Sequence, residues 1–217
     1  MEEDLISKIN GFKIDYTCSK CKSTFEIPIF PYINFHENPE YYAKVKDLEI
    51  FKVKCDKCSN EEYVKYDCLI VDPIHKYFLY LFNSQNVEAF RKSVDYFVNV
   101  VLQKDQIQDW DQIQTRLVLD LNELIEKMQI FEIGLNDKAI EIIKRGLIER
   151  NLSNSNILLF DGINETNLEF IKMSEKPEKI TVNIEFYNRI IENVNKMKDE
   201  KINFDLVNQD WVLKRIE

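Results

Sequence analysis

Four of the five cysteines occur in pairs whose spacing suits a metal ion. Cys18 and Cys21 lie in "TCSKC", Cys55 and Cys58 lie in "KCDKC", and residues 22–54 separate the pairs. A Cys-x-x-Cys turn directs two thiols toward one point, and two such turns supply the tetrahedral set of a structural zinc site. We therefore predict a four-cysteine metal site with these ligands, in which Zn²⁺ is favoured and iron held by four thiolates is the alternative.

Two other interpretations of the cysteine pairs are weaker. Four buried cysteines used as small apolar residues would have no reason to keep this spacing. A thioredoxin-like redox pair would follow a strand and open a helix, whereas each pair here lies between two predicted strands. Four thiolates also close the coordination sphere, whereas a catalytic zinc keeps one position open, so we expect a structural metal and predict no catalytic residue.

The other reactive side chains do not form a recognisable catalytic motif. Cys68 falls in a predicted buried strand, and both histidines, His36 and His75, fall in predicted surface loops. A nucleophilic thiol would need a basic neighbour, and with four glycines the chain has no phosphate loop and no Gly-x-Ser-x-Gly motif. Trp110 and Trp211 are interpreted as core aromatics rather than base-stacking platforms.

The strand pattern around the cysteines predicts a β-rich module. Phe25, Ile27 and Ile29 alternate with polar or small residues, which is the period of a half-buried strand. Asn38 is predicted to cap a short helix that starts at Pro39. Further strands are predicted at 49–54, 61–71 and 76–82, with a turn at 72–75.

The rest of the chain mixes helical and strand periods. Apolar residues at helical spacing predict a helix from Asn86 and others starting near Asp120 and Asn136. Strands are predicted at 114–119, 155–160, 168–173 and 179–184, then a helix at 186–200 and a last strand within 202–216. The predicted class is α+β: a β-rich, zinc-ribbon-like module with two Cys-x-x-Cys knuckles, then helices and a smaller C-terminal α/β unit.

Composition limits the expected partners. The 217 residues carry a formal net charge of −9, which opposes binding to nucleic acid or to an anionic membrane. The acidic N-terminus lacks the pattern of a secretory signal, so a cytoplasmic location is expected. Lysines near the knuckles, Lys20, Lys22, Lys54 and Lys57, leave a nucleic-acid-binding zinc protein as an alternative, although Asp15, Asp56, Glu61 and Glu62 lie close by.

We expect a non-enzymatic interaction or adaptor protein with an unidentified protein partner. The second alternative is an enzyme in the C-terminal half, which would need several carboxylates to converge in one pocket. The candidates are Asp120, Glu123, Glu132, Asp137 and Asp161. Each of them also suits a plain role as a helix cap or a solvated charge.

The order of these segments resembles a known family. Over roughly residues 12–145 the chain resembles the CpXC family of bacterial and archaeal zinc-binding proteins. The likeness lies in the order of five segments: the first knuckle, then "STFEIPIFPYINFHENPE", then a short helix, then "LEIFKVKCDKC", and last "YVKYDCLIVD". Both knuckles lack the family's proline, and Lys22 and Ser59 replace a glycine that often follows each pair. The resemblance implies a CpXC-like zinc-binding domain at 8–131, followed by a C-terminal α/β unit at 132–217, but no reaction.

Overall fold

The computed structural model describes residues 11–83, 113–150, 157–173, 176–197 and 204–216. The chain divides into two compact units, one formed by residues 1–114 and 118–121 and the other by residues 115–117 and 122–217. The domain bounds expected from the sequence, 8–131 and 132–217, stay a prediction. No helix in the described part of the chain is long and apolar enough to span a membrane.

Within its described residues, the first unit is built mainly from short strands, and one α-helix lies among them. Its elements are β1 (Phe12–Thr17), β2 (Thr24–Ile29), β3 (Tyr32–Asn34), α1 (Glu40–Lys46), a one-turn 3-10 helix (Glu49–Phe51), β4 (Lys52–Lys54), β5 (Glu61–Tyr63), β6 (Cys68–Asp72), β7 (Tyr77–Leu81) and the ends of β8 (Gln114–Val118).

Two antiparallel hairpins carry the cysteine pairs. In the first hairpin, β1 pairs with β2 from Phe12 opposite Ile29 to Thr17 opposite Thr24. In the second, β4 pairs with β5 from Lys52 opposite Tyr63 to Lys54 opposite Glu61. Each hairpin therefore ends at a Cys-x-x-Cys turn, which is the placement between strands that the sequence predicts.

The core of the first unit is a four-stranded sheet in the order β3-β6-β7-β8. β3 runs parallel to β6, and β6 runs antiparallel to β7. Every residue of β6 and β7 is buried, which explains why their sequences are unbroken apolar runs instead of alternating ones. The turn between them is held by Asp72, whose Oδ1 accepts hydrogen bonds from the amides of Ile74 and His75.

Three predictions in this unit are wrong in detail. Asn38 does not cap α1 with its side chain: its amide group donates to the Asn34 carbonyl, and Pro39 is the N-cap. The strand predicted at 49–54 begins with the 3-10 turn Glu49–Phe51. The strand predicted at 61–71 is two strands, β5 and β6, which belong to different sheets.

The second unit combines a three-stranded sheet with four helices within the described residues. Its elements are the middle of β8, α2 (Leu121–Glu132), α3 (Asp137–Glu149), β9 (Leu158–Asn164), β10 (Asn167–Lys172), β11 (Glu178–Asn183), α4 (Ile184–Val194) and α5 (Gln209–Ile216). The sheet is antiparallel in the order β11-β10-β9. α3 starts after Asn136 as predicted, and the Asn136 side chain caps it by accepting a hydrogen bond from the Lys138 amide.

The C-terminal prediction is corrected. Residues 209–216 form α5 and not a strand, and within the described residues 204–208 Asp205 makes an isolated bridge with Arg116. Trp211 is a core aromatic as expected: it is buried in a cluster with Val207 and Val212. The helix predicted from Asn86 and the residue Trp110 lie outside the described residues. Overall, the α+β class is confirmed.

Six buried charged side chains connect the elements of the second unit. Arg116 on β8 binds both carboxylate oxygens of Asp137, through Nε at 2.8 Å and Nη2 at 2.9 Å. Lys127 Nζ lies 2.9 Å from Asp137 Oδ2 and 3.6 Å from Glu141 Oε1. These four side chains are nearly inaccessible to solvent, so each charge depends on its partners for solvation.

Glu126 and Lys144 complete the set of six charged side chains, which we call the ion network. Lys144 Nζ lies 3.0 Å from Glu126 Oε1 and 2.9 Å from Glu141 Oε1. Three cations thus face three carboxylates: Arg116, Lys127 and Lys144 against Glu126, Asp137 and Glu141. Burial alone would raise the pKa of Asp137, but the charges of Arg116 and Lys127 outweigh it and hold that pKa well below its ordinary value.

The ion network predicts a large cost for removing one carboxylate. Asp137→Asn leaves Arg116 and Lys127 buried without their counter-charge, so the free energy of unfolding should fall by about 3–5 kcal/mol. Urea denaturation followed by circular dichroism measures this change. Asp161→Asn is the matched control, because Asp161 is half-exposed and lies 3.9 Å from an exposed lysine, Lys179. If both substitutions had the same small effect, the network would not stabilise this unit.

Candidate metal centre

The first knuckle is a tight turn held by its own backbone. The Cys18 amide donates to the Ser23 carbonyl at 2.9 Å, and the Lys22 amide donates to the Cys18 carbonyl at 3.1 Å. Lys22 adopts φ +59°, in the left-handed region. The turn therefore points the Cys18 and Cys21 side chains to the same side of the hairpin end.

The second knuckle repeats this structure at the same offsets. The Cys55 amide donates to the Asn60 carbonyl at 2.9 Å, and the Ser59 amide donates to the Cys55 carbonyl at 2.8 Å. Ser59, which corresponds to Lys22, has φ +55°. An L-residue in this conformation costs roughly 1–2 kcal/mol, so both knuckles keep the turn without the glycine that would adopt it most easily.

The two turns bring the four sulfurs together. Cys18 Sγ lies 3.7 Å from Cys58 Sγ, and Cys21 Sγ lies 3.6 Å from Cys55 Sγ. All four sulfurs lie within 4.8 Å of one another. A tetrahedral zinc site with Zn–S bonds of about 2.3 Å requires S–S distances of about 3.8 Å. The spacing of this cluster therefore fits one tetrahedral metal ion, and the cluster suggests a metal site.

The thiols of Cys21, Cys55 and Cys58 have pKa values shifted in different directions. A hydrogen bond from the Ser23 side chain is the main cause that lowers the pKa of Cys21 to about 6, and the same side chain lowers the pKa of Cys55. The Asn60 amide would lower the pKa of Cys58, but burial and the neighbouring sulfurs together raise it to about 12. Four thiolates in this space repel one another, so a cation is needed for all of them to be ionised.

Charges near the knuckles are largely paired. Lys52 Nζ lies 2.6 Å and Lys54 Nζ 3.9 Å from the Glu61 carboxylate. The Ser19 amide donates to Glu62 Oε1 at 3.2 Å. Lys20, Lys22 and Lys57 are exposed at the knuckles. These lysines add positive charge near the sulfur cluster, and the backbone amide of Lys57 donates to the Cys55 sulfur.

The fifth cysteine lies apart from the cluster. Cys68 is buried in β6 with 1% of its surface exposed, as expected for a strand residue. Burial is the main cause that raises the pKa of its thiol, so it stays protonated at neutral pH. His36 and His75 are both exposed, and His75 Nδ1 lies 2.7 Å from Asp72 Oδ2.

The candidate carboxylates differ in their surroundings. Asp137 is buried in the ion network, and it is neither a solvated charge nor a free acid. Asp161 lies near Lys179, Asp120 is exposed, and Glu123 and Glu132 are half-buried. The predicted cap at Asp120 stays a prediction.

Ser23 is a residue of the site that the sequence analysis did not single out. Its Oγ lies 2.9 Å from Cys21 Sγ and 3.4 Å from Cys55 Sγ. One signal was available, because Ser23 stands two residues after a predicted ligand. Its contact with Cys55, however, crosses from one knuckle to the other and cannot be inferred from local spacing.

Fold and site together define an α+β protein with a cluster of four cysteines at the ends of two hairpins, which suggests a metal site. The family model described as CpXC protein matches residues 16–144, more than half of the chain, including both knuckles, β6, β7 and α2. The chain therefore belongs to the CpXC family. Searches of curated proteins and of solved structures returned no match.

The geometry predicts different consequences for different cysteines. Cys21→Ser or Cys55→Ser removes one of the four clustered sulfurs, so tight zinc binding should be lost. Cys68→Ala is the matched control and should leave the zinc content unchanged, although it removes a buried side chain. Zinc per chain after extensive dialysis measures both effects. Loss of metal in Cys68→Ala alone would mean that the ligands have been assigned wrongly.

Proposed function

We propose that this chain binds one Zn²⁺ through Cys18, Cys21, Cys55 and Cys58 and that the ion is structural. The proposal is supported above all by the sulfur cluster, whose S–S distances of 3.6 and 3.7 Å suit tetrahedral thiolate ligation. Iron bound by four thiolates is the alternative metal, because it accepts the same donor set.

The chemistry that zinc would supply here is a cross-link. The ion would join two hairpins separated by residues 22–54, so it offsets the loop-closure entropy of that segment. Structural zinc contributes on the order of 10 kcal/mol to the folding of small modules. Four thiolates leave no position for water or substrate, which argues against a catalytic metal.

We propose further that the zinc-stabilised unit serves in an interaction or adaptor protein that binds another protein. The net charge of −9 and the pairing of Lys52 and Lys54 with Glu61 both weaken the case for a nucleic-acid partner. The engagement of Asp137 by two cations weakens the case for an enzyme that would use this carboxylate. Neither alternative has a specific supporting contact among the described residues.

Metal analysis tests the first part of the proposal. Protein purified without added metal should contain about one zinc per chain, because the cluster offers one tetrahedral set of four sulfurs. Elemental analysis of the wild-type protein gives the stoichiometry and also separates zinc from iron. A well-folded sample without any transition metal would overturn the assignment.

A chelator should affect the two units differently. Removing zinc breaks the link between the knuckles, so amides of residues 12–72 should lose protection from hydrogen exchange first. Amides of α2 and α3 should keep much of their protection, because the ion network and the cores of these helices contain no cysteine. The control is the same exchange experiment with the chelator already saturated with zinc. Simultaneous loss of protection along the whole chain would contradict independent stabilisation of the units.

Affinity capture separates the proposed role from its alternatives. Wild-type protein used as bait in its native host should retain a specific protein after nuclease treatment, and Cys21→Ser bait should lose it. Recovery of nucleic acid that disappears with nuclease would favour the nucleic-acid alternative. A partner held equally well by Cys21→Ser would show that the zinc-stabilised unit is not the binding surface.

A further inference from the structure

The Ser23 hydroxyl lies between the two knuckles. Its Oγ is 2.9 Å from Cys21 Sγ in the first knuckle and 3.4 Å from Cys55 Sγ in the second. Ser23 is half-buried, and these two sulfurs lie 3.6 Å from each other. The hydroxyl carries one proton, so with both sulfurs ionised it can donate to either of them, and the shorter distance favours Cys21.

Comparison of the two knuckles shows what this hydroxyl adds. Ser23 corresponds to Asn60, and the backbone amides of these residues donate to Cys21 and Cys58 in the same way. The backbone therefore supplies an equivalent hydrogen bond to the second cysteine of each knuckle. The Ser23 side chain supplies an additional one, and it is placed where it reaches one sulfur of each pair.

We infer that Ser23 is a positioning residue for the metal: its hydroxyl donates to the Cys21 thiolate, holds that ligand in place beside Cys55 and slows release of the ion. The inference rests on the proposed zinc site. Hydrogen bonds to ionised acceptors are stronger than neutral ones and fix the acceptor's orientation. Groups that hydrogen-bond to metal ligands typically change metal affinity 10- to 100-fold when they are removed.

Four variants test the inference. Ser23→Ala removes the hydroxyl, and Ser23→Thr retains it. Ser23→Val has the shape of threonine without the hydroxyl, so the comparison of Val with Thr separates hydrogen bonding from packing. Ser19→Ala is the matched control in the same knuckle, because the Ser19 side chain hydrogen-bonds to Glu62 and not to a sulfur.

The measurements are the zinc dissociation constant, by competition with a chelator, and the absorption spectrum of the Co²⁺-substituted protein. Ser23→Ala and Ser23→Val should weaken zinc binding about 10- to 100-fold and speed zinc release. Ser23→Thr should stay close to wild type, and Ser19→Ala should have no effect. Loss of the hydrogen bond raises the energy of the sulfur lone pairs, so the thiolate-to-cobalt charge-transfer bands should move to longer wavelength in Ala and Val alone.

The outcomes separate this inference from the proposed function. If wild-type protein binds no zinc, both are overturned. If wild type binds zinc and the affinities of Ser23→Ala and Ser23→Val stay within about twofold of it, only the role of Ser23 is overturned. If Ser23→Ala does not fold, the Thr and Val variants decide: equal affinity and equal cobalt spectra for these two would show that packing, and not the hydroxyl, matters at this position.

Discussion

The constraint on which the first unit depends is the closeness of four sulfurs. They lie within 4.8 Å of one another although residues 22–54 separate the two pairs. As thiols they pack as small groups, but as thiolates they repel one another strongly in a partly buried site. A dication at the centre would turn this repulsion into four bonds. The hairpins β1–β2 and β4–β5 present the sulfurs, and a bound cation would make their convergence favourable.

The local backbone accounts for how two distant segments reach the same geometry. Each knuckle uses the same two backbone hydrogen bonds, and each places a left-handed residue directly after its second cysteine. Lys22 and Ser59 accept this conformation although neither is glycine. The hydrogen bonds of the turn and the pairing of the flanking strands must therefore outweigh the steric cost of positive φ. The geometry of the knuckle is therefore a property of the hairpin end, and here it forms with Lys22 and Ser59 at the left-handed positions.

Sequence reasoning succeeded where the signal was periodic or chemically specific. Cysteine spacing located the cluster, alternation located β2, and the pair Asn136-Asp137 located the start of α3. It failed where a short segment fits the strand period and the helical period equally well, as in residues 49–54 and in the C-terminal residues that form α5. It also gave no sign of the ion network, because Glu126 and Lys127 look like ordinary surface charges on an amphipathic helix. Whether such charges are solvated or buried depends on residues far along the chain. One example is Phe160 on β9, whose amide donates to Glu126 Oε1 at 2.6 Å.

The two units show two ways of keeping charge in a region with little water. In the second unit, three cations and three carboxylates neutralise one another, and the carbonyl of Val207 accepts a further hydrogen bond from Lys127 at 2.7 Å. Such a network needs no ion, and because its partners lie on α2, α3 and β8 it favours one relative placement of these elements. Among the described residues, no cationic side chain contacts the sulfur cluster of the first unit, so four thiolates there would need a bound cation to offset their mutual repulsion. In the second unit, by contrast, the charges of the ion network are balanced by the polypeptide itself.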